Sequence, residues 1–365
     1  MRSKQTIDQM AIDQIVKTGT VSNVAEILAL DIGGTKIGWA IVRYVENNGT
    51  NLQSIAPFTS PASVETIPDF EILREGSIPT CAMEGGSAVL SRIVELAAQI
   101  QTEHPEIAGV SVASAGVIDP NTGAVISATG TMPGWGGTPL GASLQQAAGI
   151  PVEVINDVHA HGLGEAKCGA GKGAAGVLSI AVGTGIGGAL ITDGKIVFGN
   201  HFLAGHYGHI HHSYAAGMEC SCGRAGHIEA ISSGSGITAW YNARAKTSSS
   251  TLQNPIVANG RELQELADNG NKLAKKCFKE SAYALGEVLG SLANCADPSI
   301  IVISGSMTRS GKRWWRALEK GYAASAMDGV AQVPLVLGEL GGNAPLIGAS
   351  INFFQKHLSV ENEIL

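Results

Sequence analysis

Residues 26–42 read EILALDIGGTKIGWAIV, and residues 176–191 read GVLSIAVGTGIGGALI. Each stretch is two apolar runs joined by a glycine turn. In the first, residues 27–32 and 37–42 flank Gly33-Gly34-Thr35; in the second, residues 176–181 meet a turn at 183–188 and residues 188–191 continue beyond it. Short apolar runs bounded by glycine read as β-hairpins. Two such hairpins about 150 residues apart predict a duplicated α/β architecture with a cleft between its halves. Ligands of parallel sheets gather at the carboxyl ends of strands, and both glycine turns lie at such ends.

The text around these hairpins fits the same plan. Val89, Ile93, Leu96, Ala97 and Ile100 recur at helical spacing, so a helix is predicted over 88–100. A buried strand over 108–113 ends in SAGVIDPNTG. Another, over 151–155, runs into Asn156-Asp157, and the following VHAHGLGEA starts a helix that carries His159 and His161 on its face. Helices are expected over 262–267, 270–294 and 344–354, with a strand over 300–304 that ends at Gly305-Ser306. Residues 46–87, rich in Asn, Pro, Ser and Thr, read as loops with short elements.

Composition narrows the class. A chain of 365 residues can bury a large core and suggests two domains. Its 48 glycines are scattered and its aromatic content is 5%, which suits an α/β enzyme with many tight turns better than an interaction module. The net charge is −7 with no basic block, which argues against nucleic-acid binding. The start, MRSKQTIDQMAIDQIVK, lacks the apolar core of a secretory signal, and no apolar run approaches the ~20 residues of a membrane helix, so a cytoplasmic protein is expected. In a reducing compartment Cys81, Cys168, Cys277 and Cys295 read as small core residues.

Five places carry chemistry. At Asp31-Ile-Gly33-Gly34-Thr35-Lys36 the glycines admit close approach of backbone N–H groups to a phosphate and Thr35 adds a hydroxyl. Asp31, at the end of a buried strand, needs a partner such as hydrated Mg²⁺. Gly183-Thr184-Gly185 opens the second turn; no GK[ST] follows and strand residues stand where a dinucleotide fold would start a helix, so the two turns together suggest a clamp on nucleotide phosphates. Asp157, after Asn156, can accept a proton from a substrate hydroxyl, the alternative being an ordinary Asx turn. Finally, His209, Cys220, Cys222 and His227 form an H-x10-C-x-C-x4-H cluster that suits a closed, structural zinc site, with His211 and His212 as rival ligands for His209. Gly305-Ser306 reads either as a seat for an adenine ring or as a plain strand–helix turn.

Taken in order, these motifs resemble the sugar kinases of the repressor–open reading frame–kinase family, within the actin/hexokinase superfamily (ribonuclease H-like). The likeness runs from about Glu26 to about Phe354. DIGGTK and GTGIGG resemble the first and second phosphate motifs, and Gly205–Gly234 resembles the family signature G-x-x-G-H … C-x-C-G-x-x-G-C-x-E-x-x-x-S-G. The resemblance implies a duplicated two-lobe fold with an interdomain cleft: an extension at 1–26, an N-terminal lobe of 27–158 plus 347–365, and a C-terminal lobe of 159–346. It implies that Asp157 deprotonates a sugar 6-hydroxyl that attacks the γ-phosphate of Mg-ATP, and that Ser114, Ala115, Gly116, Asn156, His206 and Glu229 hold the sugar. Asp31, Gly33, Gly34, Thr35, Lys36, Gly183, Thr184, Gly185, Gly305 and Ser306 would serve the nucleotide. It also implies a homodimer; polyphosphate is the alternative donor, with no lysine-rich strip to favour it.

Three departures bear on the substrate. The third cysteine of the signature is His227 here, which can still ligate zinc. Glucokinases of the family have Glu where this chain has His206, and Asn where it has Thr131, two residues before Pro133-Gly134-Trp135. A histidine at this place resembles bacterial N-acetylmannosamine kinases, which implies N-acetylmannosamine over glucose, the alternative being a glucokinase or another hexose or hexosamine kinase of the same family. The competing class is a sugar-responsive transcriptional regulator; such relatives carry a winged helix of roughly 60–80 residues before the first phosphate motif, and about 26 precede it here.

Overall fold

A computed structural model describes residues 24–45, 69–247 and 253–358. Two compact units result. The first runs to Ser127, resumes over Met132–Ile155 and again from Ala349; the second comprises Ala128–Thr131 and Asn156–Gly348. Most of the extension at 1–26 lies outside the described residues.

The first unit contains β1 (Val24–Ile32), β2 (Lys36–Val45), β3 (Asp69–Pro79), α1 (Gly86–Glu103), β4 (Gly109–Ser114), β5 (Val117–Ile118), β6 (Val125–Ser127), α2 (Leu140–Ala148) and β7 (Val152–Asn156), whose last residue counts with the second unit. Its sheet order is β3-β2-β1-β4-β7. The first three strands are antiparallel neighbours and β4 joins β1 in parallel. The apolar stripe of α1, with Val89, Ile93 and Ile100, shares one core with Leu28, Leu30 and Val112 of the sheet.

The second unit contains α3 (Asp157–Cys168), β8 (Gly176–Val182), β9 (Ile186–Thr192), β10 (Lys195–Ile196), the short α4 (Glu229–Ser232), α5 (Gly234–Thr247), α6 (Gly260–Asp268), α7 (Lys272–Ala296), β11 (Ile300–Ser304), α8 (Lys312–Ser325) and β12 (Leu335–Leu337). Its sheet order, β10-β9-β8-β11-β12, repeats the first strand for strand, again with a leading antiparallel set and a parallel fourth strand. The duplication expected from the paired hairpins is therefore present. The last helix, α9 (Ala344–Leu358), begins in the second unit and continues in the first. There Phe353 packs over Gly109, and Phe354 stacks on Tyr44 with ring centroids 4.7 Å apart and lies 5.9 Å from Phe70.

Three expectations are corrected. Within the segment read as loops, residues 69–79 form the eleven-residue strand β3; residues 46–68 lie outside the described residues. The strand sits at the sheet edge, where Glu71, Arg74, Glu75 and Ser77 are exposed, and a bulge between Ile41 and Val42 of its neighbour breaks the alternation that marks strands. Gly76, a breaker by composition, is a seat: a Cβ there would come within 2.7 Å of the Trp39 indole. Of the dispersed cysteines, Cys277 is buried but Cys81 and Cys295 are exposed, Cys81 because it caps a 3-10 turn in a left-handed conformation and Cys295 because it falls on the outer face of α7. The helix expected from Gly270 starts at Lys272, because Asn271 caps it by accepting from the Ala274 amide at 2.8 Å.

Candidate active site

In the first unit the glycine turn and the proposed sugar loop share one edge. β1 and β4 are parallel and in register, with Ile32 opposite Ser114, so DIGGTK and Ser114–Gly116 both leave carboxyl ends of adjacent strands. The Ala115 amide donates to the Ile32 carbonyl at 3.0 Å, joining the two. Gly34, Thr35 and Lys36 are exposed; Gly34 and Thr35 form the turn and Lys36 opens β2, its carbonyl accepting from the Gly33 amide at 3.1 Å. Thr80, wholly buried, staples the turn: its hydroxyl donates to Gly33 O at 2.6 Å and its amide to Thr35 O at 3.1 Å. Ser114 is also wholly buried. Its hydroxyl donates to Ala115 O and accepts from Trp135 Nε1 at 3.3 Å, so it braces the loop from within. Neither Thr80 nor Trp135 stood out as a site support in the sequence, since their partners lie about 45 and 20 residues away.

In the second unit the turn at 183–185 and Gly305-Ser306 follow β8 and β11, which are parallel with Ala181 opposite Ser304. Gly305, at φ +94°, packs on Val182 directly before the turn. Thr184 and Gly185 are exposed. The Gly234 amide donates to Gly183 O at 2.8 Å and the Ser235 hydroxyl to Thr184 O at 2.6 Å. The turn is thus exposed at Thr184–Gly185 and held from behind by Gly234 and Ser235.

Asp157 is the first residue of α3. Asn156 caps the helix, accepting from the Val158 and His159 amides at 3.0 and 3.2 Å, and donates through Nδ2 to Asp157 Oδ1 at 3.0 Å. The Asx alternative is also true as geometry: one asparagine both starts the helix and orients the carboxylate. Burial raises the Asp157 carboxyl above its ordinary range, against the opposing pull of the Val158 amide and of nearby His206.

The loop bearing His206 hangs on α3. His159 is buried and donates from Nε2 to Ala204 O at 2.7 Å, with its ring edge-on to Phe198. Burial pushes this imidazole down to about 4. His206 Nδ1 meets the Leu203 carbonyl at 3.0 Å as donor, which leaves Nε2 as the ring nitrogen available to a ligand. The His159 shift has a consequence for stability. Between the unfolded value near 6.5 and about 4, the unfolded chain binds a proton that the native imidazole refuses, so stability falls as pH drops through that window, by about 3 kcal/mol from this residue alone. Urea titrations from pH 7 to 4 should show a slope that His159→Gln reduces.

The four expected metal residues meet. One ligand atom from each of His209, Cys220, Cys222 and His227 lies within 4.8 Å of every other. His209 Nδ1 is 3.4 Å from Cys220 Sγ, and His227 Nδ1 is 3.3 Å from Cys222 Sγ. Ligand atoms around tetrahedral zinc sit ~3.6 Å apart, given bonds of about 2.0–2.3 Å, so the donor set fits that ion. The rivals are otherwise engaged: His212 pairs with Glu287 at 3.2 Å and accepts from the Tyr214 amide, and the His211 ring lies over Gly226. Glu229 stands beside this knot, with its Oε1 at 2.5 Å from the Ser221 hydroxyl.

Known proteins are similar to this chain in sequence and in fold. The family model described as ROK family matches residues 60–356. A glucokinase of Halalkalibacterium halodurans is 30% identical over 306 residues, covering 80% of this chain and 91% of the relative. An N-acetylmannosamine kinase of Shigella boydii is 27% identical over 332 residues, covering 89% and 97%. Among solved structures, a ROK family glucokinase from Streptomyces griseus in complex with glucose and AMPPNP superposes with a TM-score of 0.69 at 26% identity, covering 90% of this chain and 99% of that one. The fold is accordingly the two-part α/β arrangement of the actin/hexokinase-like kinases. The family match leaves out only β1 and β2 of the described strands, and on that breadth the chain belongs to the ROK family.

Proposed function

We propose that the chain is an ATP-dependent sugar kinase that phosphorylates the 6-hydroxyl of N-acetylmannosamine, with Asp157 as general base. The observation that carries the reading is the Asp157 carboxylate: oriented by Asn156 at the carboxyl end of a strand, with an affinity for protons raised by burial. A base tuned upward toward the working pH is what proton removal from a hydroxyl requires. As the sugar oxygen bonds to the γ-phosphorus, the bond to the ADP oxygen breaks and the hydroxyl proton passes to Asp157. Asp31 is the residue suited to hold hydrated Mg²⁺, which would offset charge on the phosphates. The exposed N–H groups at Gly34–Thr35 and Thr184–Gly185 suit phosphate oxygens, and Gly305-Ser306 suits the adenosine. His209, Cys220, Cys222 and His227 would hold a structural zinc, with no open position for catalysis.

His206 supports the choice of sugar. With Nδ1 engaged by Leu203 O, Nε2 offers one polar atom where a carboxylate would offer two oxygens and a negative charge, and the ring suits a bulkier, uncharged acetamido neighbour. The assay is ADP release from Mg-ATP with N-acetylmannosamine, glucose, mannose and N-acetylglucosamine. N-acetylmannosamine should give the highest kcat/KM, and His206→Glu should shift the ratio toward glucose at least about tenfold. A preference for glucose in the unmodified protein, as in the H. halodurans relative's name, would keep the kinase and remove the argument from His206. No turnover with any sugar would move the weight to a sugar-binding regulator.

A further inference from the structure

The carboxylate of Glu229 is nearly buried and its two oxygens face different structures. Oε1 accepts from the Ser221 hydroxyl at 2.5 Å and lies 3.5 Å from Cys220 Sγ, both in the cysteine loop. Oε2 accepts from the Ile186 backbone N–H at 2.8 Å, at the exit of the second glycine turn. The turn has been shaped around this oxygen: a Cβ on Gly185 would stand 2.7 Å from it. The same short segment holds the turn twice more, from Gly234 N to Gly183 O and from Ser235 Oγ to Thr184 O. Residues 229–235 therefore grip the turn at three points, Gly183, Thr184 and Ile186, and the grip made by Glu229 continues into the cysteine loop.

We propose that Glu229 is a positioning residue for the second glycine turn, a tether through which the Cys220–Cys222 loop sets the geometry that a nucleotide's phosphates meet. The inference rests on the nucleotide reading of that turn. It assigns Glu229 to the nucleotide side in addition to the sugar side. A buried amide whose acceptor is removed is left unpaired, and a loop with one of three anchors cut samples other conformations, which weakens any ligand that needs the formed state.

The substitution chemistry separates this from a role of charge alone. Glu229→Gln keeps an oxygen for Ile186 N–H, and its amide can donate to the Ser221 hydroxyl, which rotates to accept. Glu229→Ala removes both links. The experiment is hydrogen exchange of the peptide spanning 183–192 in the unliganded protein, together with the Kd for Mg-ADP measured calorimetrically without sugar. Metal content is determined on each sample. Glu229→Ala should speed exchange in that peptide and weaken Mg-ADP about tenfold or more; Glu229→Gln should restore both to within about threefold of the unmodified protein. Should Glu229→Ala fail to fold, Gly185→Ala presses a methyl against Oε2 from the turn side and should shift both readings the same way. Unchanged exchange at 183–192, or faster exchange with an unchanged Kd at equal metal content, overturns the proposal. An unmodified protein that binds no Mg-ADP refutes the nucleotide reading instead, and faster exchange restored by Gln would then uphold the tether by itself.

Discussion

Asp157→Asn should abolish sugar phosphorylation while making the protein more stable at neutral pH. The substitution is nearly isosteric, and an amide oxygen at this position can still accept from Val158 N and Asn156 Nδ2, so α3 and its cap should remain. What is lost is the capacity to take a proton, and removal of a general base typically costs about 10²–10⁴ in rate. Mg-ADP affinity should stay within about threefold. The stability gain follows from the raised carboxyl. A group that holds its proton more tightly in the native than in the unfolded state destabilises the fold at every pH above its unfolded value, where burial works against the charge. Replacing it with a neutral amide removes that penalty, so the melting temperature near pH 7 should rise. For the unmodified enzyme, kcat/KM should decline on the acid side at a pH above the ordinary carboxylate range, since activity requires the ionised form of the free enzyme's Asp157. An inactive variant that is also less stable would point to a structural carboxylate and sink the assignment of Asp157 as base.

Loss of metal should have the largest effect on stability. The isolated protein should carry about one zinc per chain, and Cys220→Ser or Cys222→Ser should reduce that to under about 0.1. In the metal-free loop, burial pushes the Cys220 thiol up to about 11; a divalent cation reverses this preference by binding the thiolate. Without it, two thiols and two imidazoles face one another unliganded, and the segment is held by its remaining core contacts, Ala215 and Ile228 among them. Melting should fall on the order of 10 °C, corresponding to a few kcal/mol for a unit of this size. His227→Cys should keep the metal and His227→Ala should lose it, whereas His211→Ala should bind as before because that ring lies over Gly226. Full zinc occupancy in His227→Ala would show that the fourth ligand has been misassigned.

Much of the architecture was legible because its strongest signals are local. The strand over 300–304 matches its boundaries, and the paired hairpins announced two sheets that repeat strand for strand. The cysteine pair and its histidines were legible from spacing, because a knot of this kind closes within about twenty residues. What escaped lies at long range or at edges. β3 has one exposed side and a bulge opposite it, so its alternation is broken. α5 opens with glycines and shows no clear apolar stripe, and it went unmarked. The supports of the site were hidden for a different reason. Thr80, Trp135, His159 and Ser221 are common residue types whose roles come from partners that only the fold brings near, and no spacing rule marks a threonine as the staple of a turn some 47 residues away.

The route of the chain through its two units constrains how it can be made. The second unit is almost continuous in sequence, so it can complete its packing as soon as it leaves the ribosome. The first cannot: its sheet is synthesised early, but the aromatic lid over Tyr44, Phe70 and Gly109 consists of Phe353 and Phe354. At roughly 5–20 residues per second, the interval between the first unit's sheet and that lid lasts tens of seconds. Throughout it, Tyr44 and Phe70 lack the Phe354 ring that they pack against in the finished fold. The early-born half is thus the late-finished half.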